Sequence, residues 1–252
     1  MDRMRRSVCI AFFIFICCAS GFRAESKPIW VAHRGDNAEA DENTIKAYQL
    51  AIGYGVNYIE CDPRLSKDGV FVSMHDASVE RTTTGTGKIA DMTMEQVKSL
   101  RTKNGEPVPA LEEIFNLAKA SGVGVYLDTK GKDIDYLNLL ADFVLKNGME
   151  KKVIVGLWNI KQLKWLNENH PEMESCISWP WPAGSLAKLK KMGADWVGTT
   201  VPLATKKMIA SAHKQGLKVI TLQINDPKTI SQKISFGIDA VQTDDPRLIR
   251  DK

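Results

Sequence analysis

Residues 124–156 read GVYLDTKGKDIDYLNLLADFVLKNGMEKKVIVG, and the order of patterns in that stretch decides the fold. Gly124–Asp128 is a short β-rich run, apolar residues recur at spacings of three and four over Tyr136–Lys146, and Val153–Gly156 is β-rich again. Such an order asks for two parallel strands joined by a crossover helix. Outward from this unit the alternation continues. Ile29–Ala32, Tyr58–Asp62, Ser175–Ile177, Trp196–Gly198, Lys218–Thr221 and Ala240–Thr243 bring the strands to eight. Thr44–Tyr54, Leu111–Ala120, Ile160–Asn169, Ser185–Met192, Thr205–Gln215 and Pro227–Phe236 supply further helices. Eight units of about 28 residues predict an α/β fold of the (β/α)₈ TIM-barrel type. No glycine-rich dinucleotide fingerprint follows the first strand, which weighs against an open doubly wound sheet. The rhythm breaks between His75 and Leu111, where a small helix is expected near Thr93–Leu100. An insertion over approximately 76–110 is therefore expected at one barrel end. Gly193 and Gly237, each in a Gly-x-Asp sequence, are expected to cap the helices before them.

The 252 residues, 44% hydrophobic and 25% charged, suit one sizeable core. Residues 1–24 stand apart: Arg3, Arg5 and Arg6 precede the apolar run Val8–Ala19, and small residues follow at Ala19, Gly21 and Ala24. That order predicts a secretory signal peptide, with export to a periplasm or the exterior, and leaves residues 25–252 as one barrel domain. The apolar run is about a dozen residues long, where a membrane span needs roughly 20, so no stable membrane insertion is expected. Loss of Arg3, Arg5, Arg6 and Arg23 against Asp2 lowers the net charge from +4 to +1. No basic run survives to bind nucleic acid. Cys61 and Cys176 are the cysteines left, too few for a disulfide framework, and Cys61 is expected to pack as a small hydrophobe.

Candidate chemistry gathers between Val31 and Asp76, with Asp128 and Lys130 further on. Functional groups of a barrel stand at the C-terminal ends of strands, and His33-Arg34, Glu60-x-Asp62, His75-Asp76 after the run Phe71–Met74, and Asp128-x-Lys130 all follow predicted strands. Glu60 and Asp62, two apart, leave one face of a strand, where unscreened carboxylates repel. A divalent cation shared with Asp128 relieves that repulsion, and an all-oxygen set favours Ca²⁺ or Mg²⁺ over zinc. Imidazole is the side chain able to take or give a proton near neutrality, so His33 and His75 suit an acid and a base. Arg34 offers a fork for two phosphate oxygens and Lys130 a point charge. The charges balance only with a divalent cation and an anionic phosphodiester both present. His170 and His213 read as surface residues, and Trp158, Trp179 and Trp181 as core packing or the wall of an alcohol pocket.

Taken in order, His33-Arg34-Gly35, Glu42-Asn43-Thr44, Glu60-x-Asp62, Asp68-Gly69, His75-Asp76, Arg81-Thr82-Thr83, Asp128-x-Lys130 and Thr243-Asp244-Asp245-Pro246 resemble the glycerophosphodiester phosphodiesterase family. The resemblance spans essentially the whole chain after the leader. It implies a barrel with a small insertion and hydrolysis of a small-molecule glycerophosphodiester to an alcohol and sn-glycerol 3-phosphate. It also implies metal binding by Glu60, Asp62 and Asp128, acid/base catalysis by His33 and His75, and phosphate binding by Arg34 and Lys130. Departures from the family pattern are Asp41 for a proline, Asp128 for a glutamate, Leu222-Gln223 for tryptophan-threonine, and Trp158 near a usual phenylalanine. Two other readings stand beside this one: a phospholipase D-like enzyme acting on lysophospholipid or sphingolipid, and a catalytically silent phosphate-ligand binding protein.

Overall fold

The structure, a computed structural model, describes residues 27–180 and 185–249; the expected leader over residues 1–24 and Trp181 lie outside the described residues. In chain order the elements are β1 (Ile29–Ala32), α1 (Ile45–Gly53), β2 (Tyr58–Cys61), β3 (Pro63–Leu65), β4 (Phe71–Ser73), α2 (Met94–Ser99), α3 (Leu111–Ser121), β5 (Gly124–Asp128), α4 (Ile134–Lys146) and β6 (Val153–Leu157). They continue with α5 (Ile160–Asn169), β7 (Glu174–Ser178), α6 (Leu186–Lys191), β8 (Trp196–Thr199), α7 (Lys206–Lys214), β9 (Lys218–Thr221), α8 (Pro227–Ser235) and β10 (Ala240–Thr243).

Eight strands close in the order β1-β10-β9-β8-β7-β6-β5-β2, all parallel, with Ile29 opposite Ala240 and Val31 opposite Tyr58 where the ring joins. The (β/α)₈ barrel expected from the alternating pattern is therefore present. Apart from α3, which starts after Ala110, the helices start where the side chain of a Thr, Asp, Asn or Ser accepts an orphan backbone N–H. Thr44 caps α1, Asp133 α4, Asn159 α5, Ser185 α6, Thr205 α7 and Asp226 α8. Gly193 (φ 90°) and Gly237 (φ 86°) follow α6 and α8 in the left-handed region, as expected of capping glycines.

Inside the barrel, Val31, Ile154, Cys176, Trp196, Ile220 and Ala240 form a packed plug with Tyr58 and Tyr126. Outward-facing strand residues such as Ile59, Cys61, Val125, Leu127, Val197 and Val219 join the helices in the main core. Burial of each aliphatic chain there contributes about 1.5–3 kcal/mol, so this layer holds the barrel shut. Cys61 is free, fully buried and in that layer, on the face opposite Glu60.

The insertion starts earlier than expected: Phe71–Ser73, not among the eight strands expected in the barrel, pairs antiparallel with Pro63–Leu65 through Pro63–Ser73 and Leu65–Phe71 partners. The chain thus leaves the barrel at Pro63, earlier than residue 76, and re-enters it at α3. Gly69, at φ 79°, makes the turn, and Asp68 spans it, accepting from Ser66 Oγ (2.6 Å) and from the backbone N–H of Met94 at the start of α2 (2.9 Å). Asp68-Gly69 is a structural corner. Val72, Met74, Val79, Ile89, Val97 and Val108 give this excursion a small core of its own.

Candidate active site

His33 directly follows the first barrel strand, its N–H bonded to Thr243 O at 2.9 Å, and the chain then turns sharply. Arg34 (φ 57°) and Gly35 (φ 86°) both take left-handed backbone. A Cβ on Gly35 would stand 2.7 Å from the Ala47 carbonyl carbon, so only glycine fits this close approach to α1. The turn aims Arg34 N–H at Glu60 Oε2, 2.7 Å away.

Glu42-Asn43-Thr44 divides its work among three residues. Thr44 caps α1, Asn43 (φ 59°) donates from its side-chain amide to Asp62 Oδ2 at 2.7 Å, and Glu42 accepts from Arg34 Nη1 at 3.1 Å. Asn43 is itself held: its side-chain carbonyl accepts from the Tyr48 hydroxyl and from Ser73 Oγ.

Glu60, Asp62 and Asp128 each place a carboxylate oxygen within 4.8 Å of the others, so the three acidic residues expected to share a cation do converge. Glu60 and Asp62 are buried, whereas the Asp128 side chain is 41% exposed. Lys130 Nζ reaches into the cluster, 2.7 Å from Asp62 Oδ1 and 2.5 Å from Asp128 Oδ2. Burial and the charges of Asp62 and Asp128 push the Glu60 carboxyl well above the usual carboxylate range. For Asp62 burial works the same way, but Lys130, Asn43 and Arg34 outweigh it and hold the carboxyl low. Both residues expected to bind phosphate are thus engaged with carboxylates, since Arg34 Nε also lies 3.4 Å from Asp62 Oδ2. Oxygens around a Ca²⁺ or Mg²⁺ with bonds of about 2.0–2.6 Å are spaced about 3–5 Å apart, which the cluster satisfies. Asp62 Oδ1, buried and without a well-directed hydrogen bond, adds an acceptor that a cation would use. The donor set, all oxygen, fits a hard divalent ion.

Each candidate histidine has a carboxylate partner behind it. His33 Nδ1 lies 2.6 Å from Asp244 Oδ1, and Asp244 also accepts from Asn37 Nδ2 (2.7 Å) and Asn225 Nδ2 (2.6 Å). Burial would raise the Asp244 carboxyl, yet these hydrogen bonds outweigh it and hold it at about 2. His75 Nδ1 lies 2.7 Å from Asp76 Oδ1. Hydrogen bonding from Arg81, then from His75, holds the Asp76 carboxyl at about 2. Both carboxylates are therefore ionised near neutrality and favour the tautomer with hydrogen on Nδ1, leaving Nε2 for chemistry. Gln223 Nε2 stands 2.9 Å from His33 Nε2.

Sequence reading gave no role to several supports. Arg64 donates to Met74 O (2.9 Å) and to His75 O (2.5 Å from Nη2), which fixes the main chain at His75 off the barrel. The Tyr136 hydroxyl donates to Pro63 O (2.6 Å) and accepts from Lys130 N–H (3.3 Å), tying the excursion to the loop after β5. Asp244, Asp76 and Arg81 stood within recognised motifs, and the pairing of each His with an Asp was the missing signal. His170 and His213 are half-buried and lie near Glu172 and Asp239, so neither is a bare surface group. Trp158 is 44% exposed, with Lys132 over its ring, and is not core. Trp179 packs partly buried against the core.

Known proteins share both sequence and fold. The sequence model of the Glycerophosphoryl diester phosphodiesterase family matches residues 33–248. A glycerophosphodiester phosphodiesterase from Caldanaerobacter subterraneus subsp. tengcongensis is 27% identical over 239 residues, covering 88% of this chain and 96% of the relative. A crystal structure of a glycerophosphodiester phosphodiesterase from Agrobacterium tumefaciens superposes with a TM-score of 0.79 at 26% identity, covering 88% of this chain and 98% of that one. An Oleispira antarctica phosphodiesterase, in complex with the product sn-glycerol-3-phosphate, shares the fold with a TM-score of 0.81 at 24% identity, over 88% and 95% of the two chains. With the match running from the first catalytic histidine candidate to beyond its Asp244 partner, the chain belongs to the glycerophosphoryl diester phosphodiesterase family.

Proposed function

We propose that this chain hydrolyses glycerophosphodiesters to an alcohol and sn-glycerol 3-phosphate, using one divalent cation, Ca²⁺ or Mg²⁺, and two histidines as acid and base. Membership of the family makes it a phosphoric diester hydrolase. The observation that carries the finer reading is that two His–Asp pairs border one carboxylate cluster. Arg34, next to His33, bonds Glu60 through its N–H, and Met74, next to His75, bonds Asp62 O at 3.0 Å.

Glu60, Asp62 and Asp128 would hold the cation, which when bound polarises a phosphoryl oxygen and offsets charge in the transition state. Arg34 and Lys130 are the cations at hand for the phosphate oxygens. Asp244 and Asp76 hold the two imidazoles with Nε2 unprotonated. One ring can then take a proton from the attacking hydroxyl while the other, once protonated, gives one to the leaving alkoxide. The buried floor of Glu60 and Asp62 limits water around the charged groups and strengthens their interactions. For location, the order of basic, apolar and small residues in 1–24 supports export, to a periplasm or beyond.

His33→Ala and His75→Ala test the acid/base roles. Each should lower turnover about 10²–10⁴-fold with the far-ultraviolet circular dichroism unchanged. Undiminished turnover in either variant rejects the two-histidine mechanism.

A further inference from the structure

We infer that Arg81 is a positioning residue that holds His75 on the excursion and Arg34 on the barrel as one unit, an inference that rests on the acid/base reading of His75. His75 follows a two-stranded hairpin outside the barrel, so strand pairing does not fix its ring against the phosphate-binding groups. Arg81 supplies the link. Its Nε donates to Asp76 Oδ2, and Asp76 Oδ1 lies 2.7 Å from His75 Nδ1. On its other edge Nη1 and Nη2 donate to Glu42 Oε2 and Oε1, at 2.8 and 2.7 Å. Glu42 Oε1 accepts in turn from Arg34 Nη1 at 3.1 Å, and Arg34 Nε lies 3.4 Å from Asp62 Oδ2.

The result is one line of charge-assisted contacts, His75–Asp76–Arg81–Glu42–Arg34–Asp62, crossing from the excursion to the barrel. Only a planar fork serves both ends of its middle member. Nε addresses one carboxylate while the two Nη groups grip another, and a lysine ammonium cannot span both in fixed geometry. Arg81 touches none of the groups assigned to the reaction itself. Its side chain is 47% exposed, so packing contributes little and orientation is what it gives. Losing it frees the Asp76–His75 pair to rotate and leaves Glu42, the brace on Arg34, without its anchor on the excursion. Turnover falls through the first effect and KM rises through the second. A loss of about 10–100-fold in kcat/KM is expected, the usual range for partners that orient a functional ligand.

The test compares wild type with Arg81→Gln, Arg81→Lys and Arg81→Ala by two readouts. The first is ¹⁵N NMR of labelled imidazoles near pH 8, with His75 assigned by its absence in His75→Gln. Wild type should show a single tautomer with hydrogen on Nδ1, and Arg81→Gln a mixture. The second is turnover of glycerophosphodiesters: Arg81→Lys should stay impaired, whereas millimolar guanidinium should restore Arg81→Ala and methylammonium should not. A wild-type tautomer together with wild-type kcat and KM in Arg81→Gln overturns the inference and leaves the hydrolase reading intact. Absence of turnover in the wild type overturns the hydrolase reading instead, and the tautomer comparison still decides whether Arg81 holds His75. If Arg81→Gln fails to fold, Arg81→Lys carries both readouts.

Discussion

The Lys130 ammonium stands 2.7 Å from Asp62 Oδ1, inside the carboxylate cluster and not at its rim. With only 6% of its side chain exposed, it pairs with both Asp62 and Asp128, and Arg34 adds its charge at Asp62. A divalent ion using the same oxygens has to compete with it. Lys130→Met should therefore bind Mg²⁺ or Ca²⁺ about tenfold more tightly or better, by the Coulomb energy of one nearby charge, while KM for the diester rises. Isothermal titration with the cation, beside steady-state kinetics, checks both halves. Weaker cation binding in the variant would contradict the competition.

Glu60 carries the second prediction. Burial and the neighbouring Asp62 and Asp128 carboxylates favour its protonated form, yet a cation takes it only as a carboxylate. Cation binding should release a proton wherever Glu60 is still protonated, and affinity should rise as pH rises through that range. Titration calorimetry in buffers of different ionisation enthalpy measures the release. Binding heats independent of buffer would refute it.

Asp244 links the site to acid stability. Its carboxyl is held at about 2 in the fold against an ordinary 3.8, so the unfolded chain binds the proton more readily. The stabilisation is complete above about pH 4 and is lost as pH falls toward about 2. Asp244→Asn gives up this term, and places an amide donor against those of Asn37 and Asn225. Thermal melts should show the variant less stable at pH 7, with the gap closing near pH 2, and turnover should fall about 10²–10⁴-fold as the tautomer of His33 is lost. A gap that does not change with pH would count against the ionised dyad.

Two left-handed glycines separate strain from crowding. Gly35→Ala adds a clash with Ala47 to the unfavourable φ and should cost about 2–4 kcal/mol. Gly69→Ala, at φ 79° with nothing within 4 Å of the new Cβ, should cost only the conformational share, about 1–2 kcal/mol. Chemical denaturation measures the difference; equal losses would mean that the approach of α1 to Gly35 is not tight.

Much of this was legible in the chain. The unit β5–α4–β6 announces itself because a buried parallel strand is a short β-rich run, and its helix carries both a polar cap and an apolar stripe. Parity along β2 also placed Glu60 and Asp62 together and sent Cys61 the other way. The excursion begins before residue 76 because Phe71–Ser73 pairs with the adjacent Pro63–Leu65, and a β-rich run does not name its partner. Asp244 lies 211 residues from His33 and reaches it only because β1 and β10 close the ring, a relation with no local pattern. The grip of Arg64 on the carbonyls of Met74 and His75 leaves no trace in composition either. Lys130, two residues after Asp128, was placed on the right side, but its embrace by two carboxylates follows from burial that spacing does not reveal.

A cation held by Glu60, Asp62 and Asp128 is expected to serve a phosphodiester cleaved between two histidines. The most direct test is ³¹P NMR of the protein with glycerophosphocholine and glycerophosphoethanolamine, each with Mg²⁺, with Ca²⁺ and with chelator. The resonance of sn-glycerol 3-phosphate should grow in the presence of a cation and stay absent with chelator. Equal growth in the chelated tubes, or an unchanged diester resonance in all of them, would contradict the account.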